Sequence, residues 1–313
     1  MNDTLMVIGE ALIDFIPTEQ GMALKDVCSF TKHCGGAPIN IAAATAKLGA
    51  HSKVLTQVGA DAFGDFILET LSLCQVDITA VKRTKQYPTA LAFVALDEKG
   101  NRDFTFYRDP CADLHLSAED ITATMFQDCG ILHFCSVDLV DSPMKQAHLK
   151  AIQLAKEQGA IISFDPNVRL PLWSSKEDCK NTILEFAPYA DILKISDDEL
   201  FFLTGQKDCE QVFTVFPDAT IILLTCGEQG SYLMTKEHRL YEKPIPVKAI
   251  DTTGAGDAFA AAFLYQLLRD GISREQLPHL SKDILQVYLR FSNAYAADST
   301  TKYGAVHAMA TTQ

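Results

Sequence analysis

Six short apolar runs recur along the chain and constrain its fold more than any other feature. They lie at residues 5–9, 53–59, 130–136, 160–165, 191–196 and 220–225. The last four are continuous β-branched and apolar segments, which is typical of strands covered on both faces, as in a parallel sheet. Amphipathic stretches such as 142–158 and 175–189 lie between the runs. Alternating strands and helices predict a layered α/β fold with a mainly parallel sheet.

Two stretches depart from this pattern. Residues 89–108 contain two alternating segments on either side of residues 97–101, which is a β-hairpin signal. In such a hairpin Phe104 and Phe106 would share one face. Residues 12–34 are also strand-like and lack helical periodicity. We expect the two excursions to pair as a small sheet beside the main domain, where it would be placed to act as a lid.

The composition narrows the class of partner. The 313 residues carry a net charge of −13, which disfavours binding to nucleic acid or to an anionic membrane. None of the nine cysteines forms a pair with two-residue spacing, so we expect reduced thiols rather than a zinc or redox motif. The N-terminal stretch MNDTLMVIGEALIDF lacks a basic leader, and no apolar run approaches the length of a membrane span. A cytoplasmic enzyme or binding protein is therefore expected.

Polar residues follow three of the predicted strands. The carboxyl ends of parallel strands face the ligand crevice in open α/β sheets, so these residues would line one edge. Three polar endings on one edge favour a ligand site over ordinary solvated loops. The residues are Asp165, Asn167 and Arg169 at the first strand, Lys194, Ser196 and Glu199 at the second, and Thr225, Gly227 and Gly230 at the third.

The run Asp251-Thr-Thr-Gly-Ala-Gly-Asp257 precedes an alanine-rich helix pattern that ends near Gly271. Gly254 and Gly256 allow the backbone to approach a ligand closely, and the free amides at a helix start form an anion site. Phosphoryl transfer needs donors aimed at the developing charge and a carboxylate that takes the acceptor's proton. Asp257 could be this carboxylate, because it lies within one helical turn of the anion site. Taken alone, the motif leaves open that Asp257 only caps the helix.

A second glycine-rich element precedes another helix pattern. Gly35 and Gly36 permit a sugar ring to approach the backbone, and Pro38 suits the first helical position. Asn40, in the first turn, offers both a donor and an acceptor for hydroxyl groups. Asp14 follows a strand and could accept hydrogen bonds from a polyol, although a solvated loop carboxylate is an equally good interpretation of that residue alone.

These two elements, Gly35-Gly36-x-x-x-Asn40 and Asp251-Thr-x-Gly-Ala-Gly-Asp257, resemble the signatures of the ribokinase-like (pfkB-type) carbohydrate kinase family. The resemblance covers nearly the whole chain. It implies a ribokinase-like three-layer α/β/α core and a small β-sheet lid. The core would comprise residues 1–12, 36–87 and 110–313, and the lid 13–35 and 88–109. ATP and Mg2+ are the implied cofactors, with potassium (K+) at a monovalent-cation site in many members.

The resemblance also assigns roles to residues. Asp257 would be the catalytic base, and the amides of Gly254, Ala255 and Gly256 would form the anion hole. The sugar would be held by Asp14, Gly35, Gly36 and Asn40, and the cofactor by Lys194, Ser196, Glu199, Thr225, Gly227, Gly230 and Asn293. Glu199 would organise Mg2+ and phosphate, Asn293 would lie beside the adenine, and Asp251 and Thr253 would bind the monovalent cation. Ser196 replaces the Asn of the family's Asn-x-x-Glu motif, and the segment around Ser299 and Gly304 matches poorly.

Within the family the likeness is to the fructokinase branch, through GEALIDFIP, the stretch 102–116 and Asp165-Pro-Asn-Val-Arg169. Arg169 would lie near the acceptor and make charge-assisted hydrogen bonds to a sugar or phosphate oxygen. The resemblance implies ATP-dependent phosphorylation of fructose to fructose 6-phosphate, and a homodimer paired through the lid. It leaves open another acceptor, such as a nucleoside analogue, ribose or ketodeoxygluconate, and a non-catalytic sugar or nucleotide sensor.

Overall fold

The computed structural model describes residues 2–19, 21–96, 102–206 and 212–311. Cys209 and the hairpin turn predicted at 97–101 lie outside these ranges. The described residues form two sheets, one with nine strands and one with four. No helix within these ranges is long and apolar enough to cross a bilayer.

The strands carry the apolar runs seen in the sequence. They are β1 (Thr4–Ile8), β2 (Leu12–Pro17), β3 (Phe30–Gly35), β4 (His51–Gly59), β5 (Val81–Thr84), β6 (Ala90–Leu96), β7 (Arg102–Tyr107), β8 (Cys129–Cys135), β9 (Ile161–Asp165), β10 (Ile192–Ser196), β11 (Ile221–Thr225), β12 (Ser231–Met234) and β13 (Arg239–Glu242). The large sheet has the order β13-β12-β11-β10-β9-β8-β1-β4-β5. All neighbours from β11 to β5 pair in parallel, whereas β12 and β13 are antiparallel additions at one edge. The mainly parallel sheet is thus confirmed.

Helices cover both faces of this sheet. They are α1 (Ala37–Lys47), α2 (Ala62–Leu73), α3 (Pro143–Glu157), α4 (Lys176–Phe186), α5 (Asp197–Thr204), α6 (Val212–Val215), α7 (Ala255–Arg269), α8 (Lys282–Ser299) and α9 (Ala305–Ala308). Alternate residues of β1 enter two separate cores: Leu5 and Val7 pack with α1 and α7, and Met6 and Ile8 pack with α3. The predicted three-layer α/β/α core is therefore confirmed.

Small side chains set the distance between α1 and α7. Residues 42–44 of α1 and 260–262 of α7 are all alanine, and all are buried in the same core. Because an alanine projects only one methyl group, the two helices approach closely and their first turns come together. This contact positions the two glycine-rich elements next to each other, although they are far apart in the sequence.

The small sheet has the order β3-β2-β6-β7 and two different faces. One face carries Leu12, Ala90 and Ala92, which are buried together beside Phe106. Asp14 pairs with Ala92 in register and so belongs to the same face. The opposite face is aromatic, with Phe15 stacked on Phe93 at 4.8 Å between ring centroids. The pairing of residues 12–34 with residues 89–108 is as predicted.

Candidate active site

The carboxyl edge of the large sheet gathers the polar residues that follow its strands. β9 ends at Asp165, β10 at Ser196 and β11 at Thr225. These three strands are adjacent and parallel, so their ends lie side by side. α1 and α7 begin at the same edge, and their first turns carry Asn40 and Asp257. A crevice at this edge is where an open α/β sheet binds its ligand.

Asp257 is buried in the first turn of α7, just after Gly254 in the left-handed conformation (φ 73°, ψ 7°). Asn40 Nδ2 donates a hydrogen bond of 2.7 Å to Asp257 Oδ2. Burial raises the pKa of the Asp257 carboxyl, whereas the bond from Asn40 and the positive charges of Lys194 and Arg169 lower it. A buried carboxyl with a raised pKa beside a helix N-terminus is suited to accept a proton from a bound hydroxyl group.

The turn before α7 has little freedom to move. A Cβ at Gly254 would lie 2.8 Å from the Cβ of Ala305, so this turn packs directly against the first residue of α9. Within the turn, the amide of Ala255 already makes a long hydrogen bond of 3.3 Å to the Thr252 carbonyl oxygen. At a helix start the amides without an intrahelical partner point along the axis, where the helix dipole favours an anion.

Gly35 and Gly36 lie where the small sheet rejoins the core. A Cβ at Gly36 (φ 109°) would lie 2.4 Å from the Glu10 carbonyl oxygen, and a Cβ at Gly35 would lie 2.2 Å from Asp14 Oδ2. A side chain on Gly36 would meet backbone, whereas a side chain on Gly35 would meet the carboxylate end of Asp14. Asp14 is therefore in contact with the backbone that leads, one turn later, to Asn40.

Lys194 connects the strand edge to the turn before α7. Its Nζ lies 3.0 Å from Asp165 Oδ2 and also 3.0 Å from the place where a Cβ on Gly256 would be. Burial opposes the charge of Lys194, but Asp165 and Glu199 outweigh burial and raise its pKa. Burial raises the pKa of Asp165 to about 6 despite this ion pair. A charged ammonium group thus lies beside the predicted anion hole.

Glu199 is held ionised by the start of α5. Its Oε1 accepts a hydrogen bond of 2.8 Å from the Val168 amide, and its Oε2 accepts one of 2.8 Å from the Ser196 amide. Burial would raise the pKa of Glu199, but Lys194 and these amides lower it below its ordinary value. Ser196 uses its hydroxyl group in the same capping box, accepting from the Glu199 amide at 3.2 Å.

A cleft of ≈ 530 Å³ runs from the turn before α7 to α8. Thr225, Gly227 and Gly230 line one end of it, and Asn293 of α8 lines another part. Both polar atoms of the Asn293 side chain are hydrogen-bonded within the protein. Nδ2 donates to the Lys243 carbonyl oxygen at 2.7 Å, and Oδ1 accepts from Ser231 Oγ at 3.3 Å. The cleft reaches Gly256, so a nucleotide bound there would present its phosphates to the anion hole.

Asp251 ties the start of the Gly-Ala-Gly-Asp motif to the C-terminal segment. Its Oδ1 accepts from the Thr253 amide at 2.9 Å and from Thr253 Oγ1 at 2.5 Å. Its Oδ2 accepts from the Gly304 amide at 2.9 Å. Gly304 lies in the segment whose match to the family was poor, so the structure adds it to this part of the site.

A family model described as the pfkB family carbohydrate kinases matches residues 2–312. The chain belongs to this family. A probable fructokinase-2 from Arabidopsis thaliana is 40% identical over 306 residues, covering 97% of this chain and 92% of the relative. The crystal structure of a fructokinase with bound ATP from Xylella fastidiosa has a TM-score of 0.91 at 32% identity, covering 99% of this chain and 96% of that chain. A Vibrio cholerae O395 fructokinase double mutant, with fructose, ADP and potassium ion bound, has a TM-score of 0.86 at 32% identity. This match covers 98% of this chain and 95% of that chain.

In this carbohydrate kinase the sequence-predicted residues fall into one connected region. Asp257, Asn40, Lys194 and Arg169 interact directly or through charge. Arg169 is half-buried, and its Nη1 donates to the Val168 carbonyl oxygen at 3.0 Å. The cleft lined by Asn293 opens beside them. No group of three or more His, Cys, Asp or Glu side chains among the described residues is arranged to hold a metal ion by itself.

Sequence reasoning missed a buried charge cluster under the Gly35–Gly36 turn. Arg108 Nη2 donates to Asp113 Oδ2 and to Asp138 Oδ1, each at 2.5 Å, and Glu10 Oε1 accepts from the Ala37 amide at 2.8 Å. All four charged side chains are buried. A single Arg or Asp in a sequence gives no sign of burial, so only the repeated charges of Arg108-Asp-Pro-Cys-Ala-Asp113 offered a signal.

Proposed function

We propose that this chain is an ATP-dependent fructokinase that phosphorylates the 6-hydroxyl group of fructose. The observation that carries the proposal is the hydrogen bond from Asn40 to Asp257, which joins the sugar element to the phosphoryl-transfer element across 217 positions. The fructokinases from A. thaliana, X. fastidiosa and V. cholerae, aligned over nearly the whole chain, support fructose as the acceptor.

In the proposed reaction Asp257 takes the proton of the acceptor hydroxyl as the hydroxyl oxygen attacks the γ-phosphorus of ATP. The bond from the γ-phosphorus to the β–γ bridging oxygen breaks, and ADP leaves. The amides of Gly254, Ala255 and Gly256 donate to the charge that develops on the transferred group. Asn40 positions Asp257 and favours its ionised form. Asp14, Gly35 and Gly36 would contact the sugar hydroxyls, and Arg169 would balance charge near the acceptor.

Lys194 and Glu199 fit the phosphate end of the nucleotide. The ammonium group of Lys194 lies beside Gly256, where the transferred phosphoryl group would pass. Glu199 is ionised and fixed by two amides, which suits a carboxylate that orients the water ligands of Mg2+. Bound with ATP, Mg2+ would offset part of the phosphate charge. Thr225, Gly227, Gly230 and Asn293 would form the nucleotide cleft, while Ser196 would act through its cap on α5.

Asp251 and Thr253 form the proposed monovalent-cation site. The Asp251 carboxylate already accepts hydrogen bonds from Thr253 and Gly304, so it fixes two backbone segments around any cation that it binds. The single carboxylate of the site supplies one negative charge, which matches the single charge of K+ better than the double charge of a second divalent ion. Assaying with KCl against choline chloride at equal ionic strength tests this, and equal rates would refute activation.

The small sheet is the proposed lid, with residues 13–35 and 88–109 as its parts. Its aromatic face carries Phe15, Phe93 and Tyr107, and Tyr107 is 64% exposed. We propose that two lids pair through this face in a homodimer. Analytical ultracentrifugation of Tyr107→Lys should show dissociation relative to the unmodified chain, and an unmodified chain that sediments as a monomer would exclude the pairing.

A cytoplasmic location is proposed on the chemistry of the thiols. The eight cysteines in the described ranges are all free, as expected in a reducing compartment. Localisation of a tagged chain by fractionation tests the proposal, and recovery outside the cytoplasm would refute it.

Two measurements test the function. First, kcat/KM is measured for fructose, ribose, a nucleoside and ketodeoxygluconate with ATP, and fructose should give the highest value. Second, Asp257→Asn should lower kcat with fructose by at least roughly 100-fold, the low end for removing a general base, with fructose binding largely kept. A better acceptor than fructose would overturn the substrate, and unchanged turnover in Asp257→Asn would overturn the mechanism.

A further inference from the structure

The buried charge cluster of Glu10, Arg108, Asp113 and Asp138 lies where the small sheet joins the core. Glu10 follows β1, and Asp138 follows β8, the neighbouring strand in the large sheet. Arg108 comes directly after β7, at the point where the small sheet returns to the core. The cluster is therefore at the carboxyl edge of the sheet, beneath the Gly35–Gly36 turn.

Two contacts connect the cluster to the acceptor residues. Glu10 Oε1 accepts from the Ala37 amide at 2.8 Å, at the start of the helix that carries Asn40. The Glu10 carbonyl oxygen lies where a side chain on Gly36 would be. Three side-chain atoms of the cluster are buried and have no hydrogen-bond partner among the described residues: Glu10 Oε2, Arg108 Nε and Asp138 Oδ2. Such atoms are costly unless a ligand or water satisfies them.

Three carboxyl groups share a single cation in the cluster. Arg108 is the single cation of the four, and its Nη2 is shared between Asp113 and Asp138. Both of these aspartates are fully buried, so their charge is not screened by solvent. Burial, followed by the charge of Asp138, raises the pKa of Glu10 to about 8, so Glu10 is the carboxyl group of the cluster that is held neutral.

We propose that Asp113 and Asp138 neutralise Arg108 and thereby make the acceptor site select an uncharged sugar over a sugar acid. This rests on the proposed function and names its substrate class. The carboxylate of a sugar acid would find no cation available in the cluster, and it would be brought close to buried carboxyl groups. Neutral hydroxyl groups, in contrast, need no cation and bring no negative charge to this place.

The test compares fructose with 2-keto-3-deoxygluconate as the anionic probe. In the unmodified enzyme kcat/KM for fructose should exceed that for the acid by at least roughly 100-fold. Asp138→Asn keeps the shape of the side chain but removes one charge from Arg108. It should raise kcat/KM for the acid about 10-fold and should not raise that for fructose. Asp141→Asn, an exposed residue of the same loop, serves as the matched control and should leave the ratio unchanged.

A second variant and an inhibition measurement complete the test. Asp113→Asn removes the other carboxylate that accepts from Arg108, and it should shift the ratio in the same direction if Asp138→Asn does not fold, as judged by its thermal transition. The acid should also inhibit fructose phosphorylation by the unmodified enzyme only weakly. The proposal is overturned if the unmodified enzyme uses the acid within 10-fold of fructose, or if every folded variant keeps the original ratio. Preference for another neutral acceptor would instead refute fructose and leave this proposal standing.

Discussion

Gly254→Ala tests whether the turn before α7 must approach α9 as closely as the structure shows. Gly254 has φ 73° and ψ 7°, a left-handed conformation that costs an alanine roughly 1–2 kcal/mol. The added methyl group would also lie 2.8 Å from the Ala305 Cβ, and overpacking of this kind costs about 1–3 kcal/mol. The two terms predict a loss of roughly 2–5 kcal/mol of unfolding free energy.

Gly205 provides a matched control because its backbone is nearly identical. It ends α5 with φ 72° and ψ 6°, but no atom lies within 4 Å of an added Cβ. Gly205→Ala should therefore lose only the roughly 1–2 kcal/mol of the backbone term. The difference between the two variants in urea unfolding isolates the contact with Ala305.

The same pair of variants separates stability from catalysis. Gly254→Ala moves the amides of the anion hole, and a displacement of about 1 Å at a reacting centre can cost roughly 100-fold in rate. Gly205→Ala should keep kcat within about 2-fold, as expected for a change away from the site. If Gly254→Ala matches Gly205→Ala in both unfolding free energy and kcat, the reasoning from close approach is refuted.

Three further changes have expected outcomes. Asn40→Ala removes a hydrogen bond that lowers the pKa of Asp257, so the acid limb of the kcat/KM profile should move to higher pH; an unmoved limb contradicts this. Lys194→Met leaves the buried Asp165 carboxylate without its ion-pair partner. Urea unfolding at pH 8 should therefore show a loss of roughly 3–5 kcal/mol of unfolding free energy. The loss should be smaller at pH 5, where the Asp165 carboxyl takes a proton. Equal losses at pH 8 and pH 5 would argue against the ion pair. GTP should replace ATP with kcat/KM within about 10-fold, because the Asn293 amide is already bonded to the protein; strict use of ATP would show that other groups read the base.

The central sheet was predictable because strands that are buried on both faces are continuous apolar runs in the sequence. Every residue of β1 is buried and four of its five residues are apolar, so this strand shows no alternation. The edge hairpin of β12 and β13 was not predicted. Its strands have only four residues each, and β13 (Arg-Leu-Tyr-Glu) is largely in contact with solvent, so neither length nor hydrophobicity distinguishes it from a loop.

The site was predictable only where its chemistry is local in sequence. Gly254 and Asp257 lie within one turn of the same helix, so their spacing alone indicated an anion site with a nearby carboxylate. The pairing of Asp257 with Asn40 depends on how two alanine-rich helices pack, which the sequence does not specify residue by residue. Arg108 was missed for a related reason, since its partner Asp138 comes from a different strand end.

Residues in the segments that connect the two sheets have both a structural and a substrate-facing position in this fold. Glu10, Gly36 and Arg108 each lie where the chain passes between the core and the small sheet, and Glu10 and Gly36 also border the acceptor element. A substitution there alters the attachment of the small sheet and the charge seen by the substrate together. We therefore expect changes of substrate class to arise more readily at Asp138, which belongs to the core alone and pairs with Arg108.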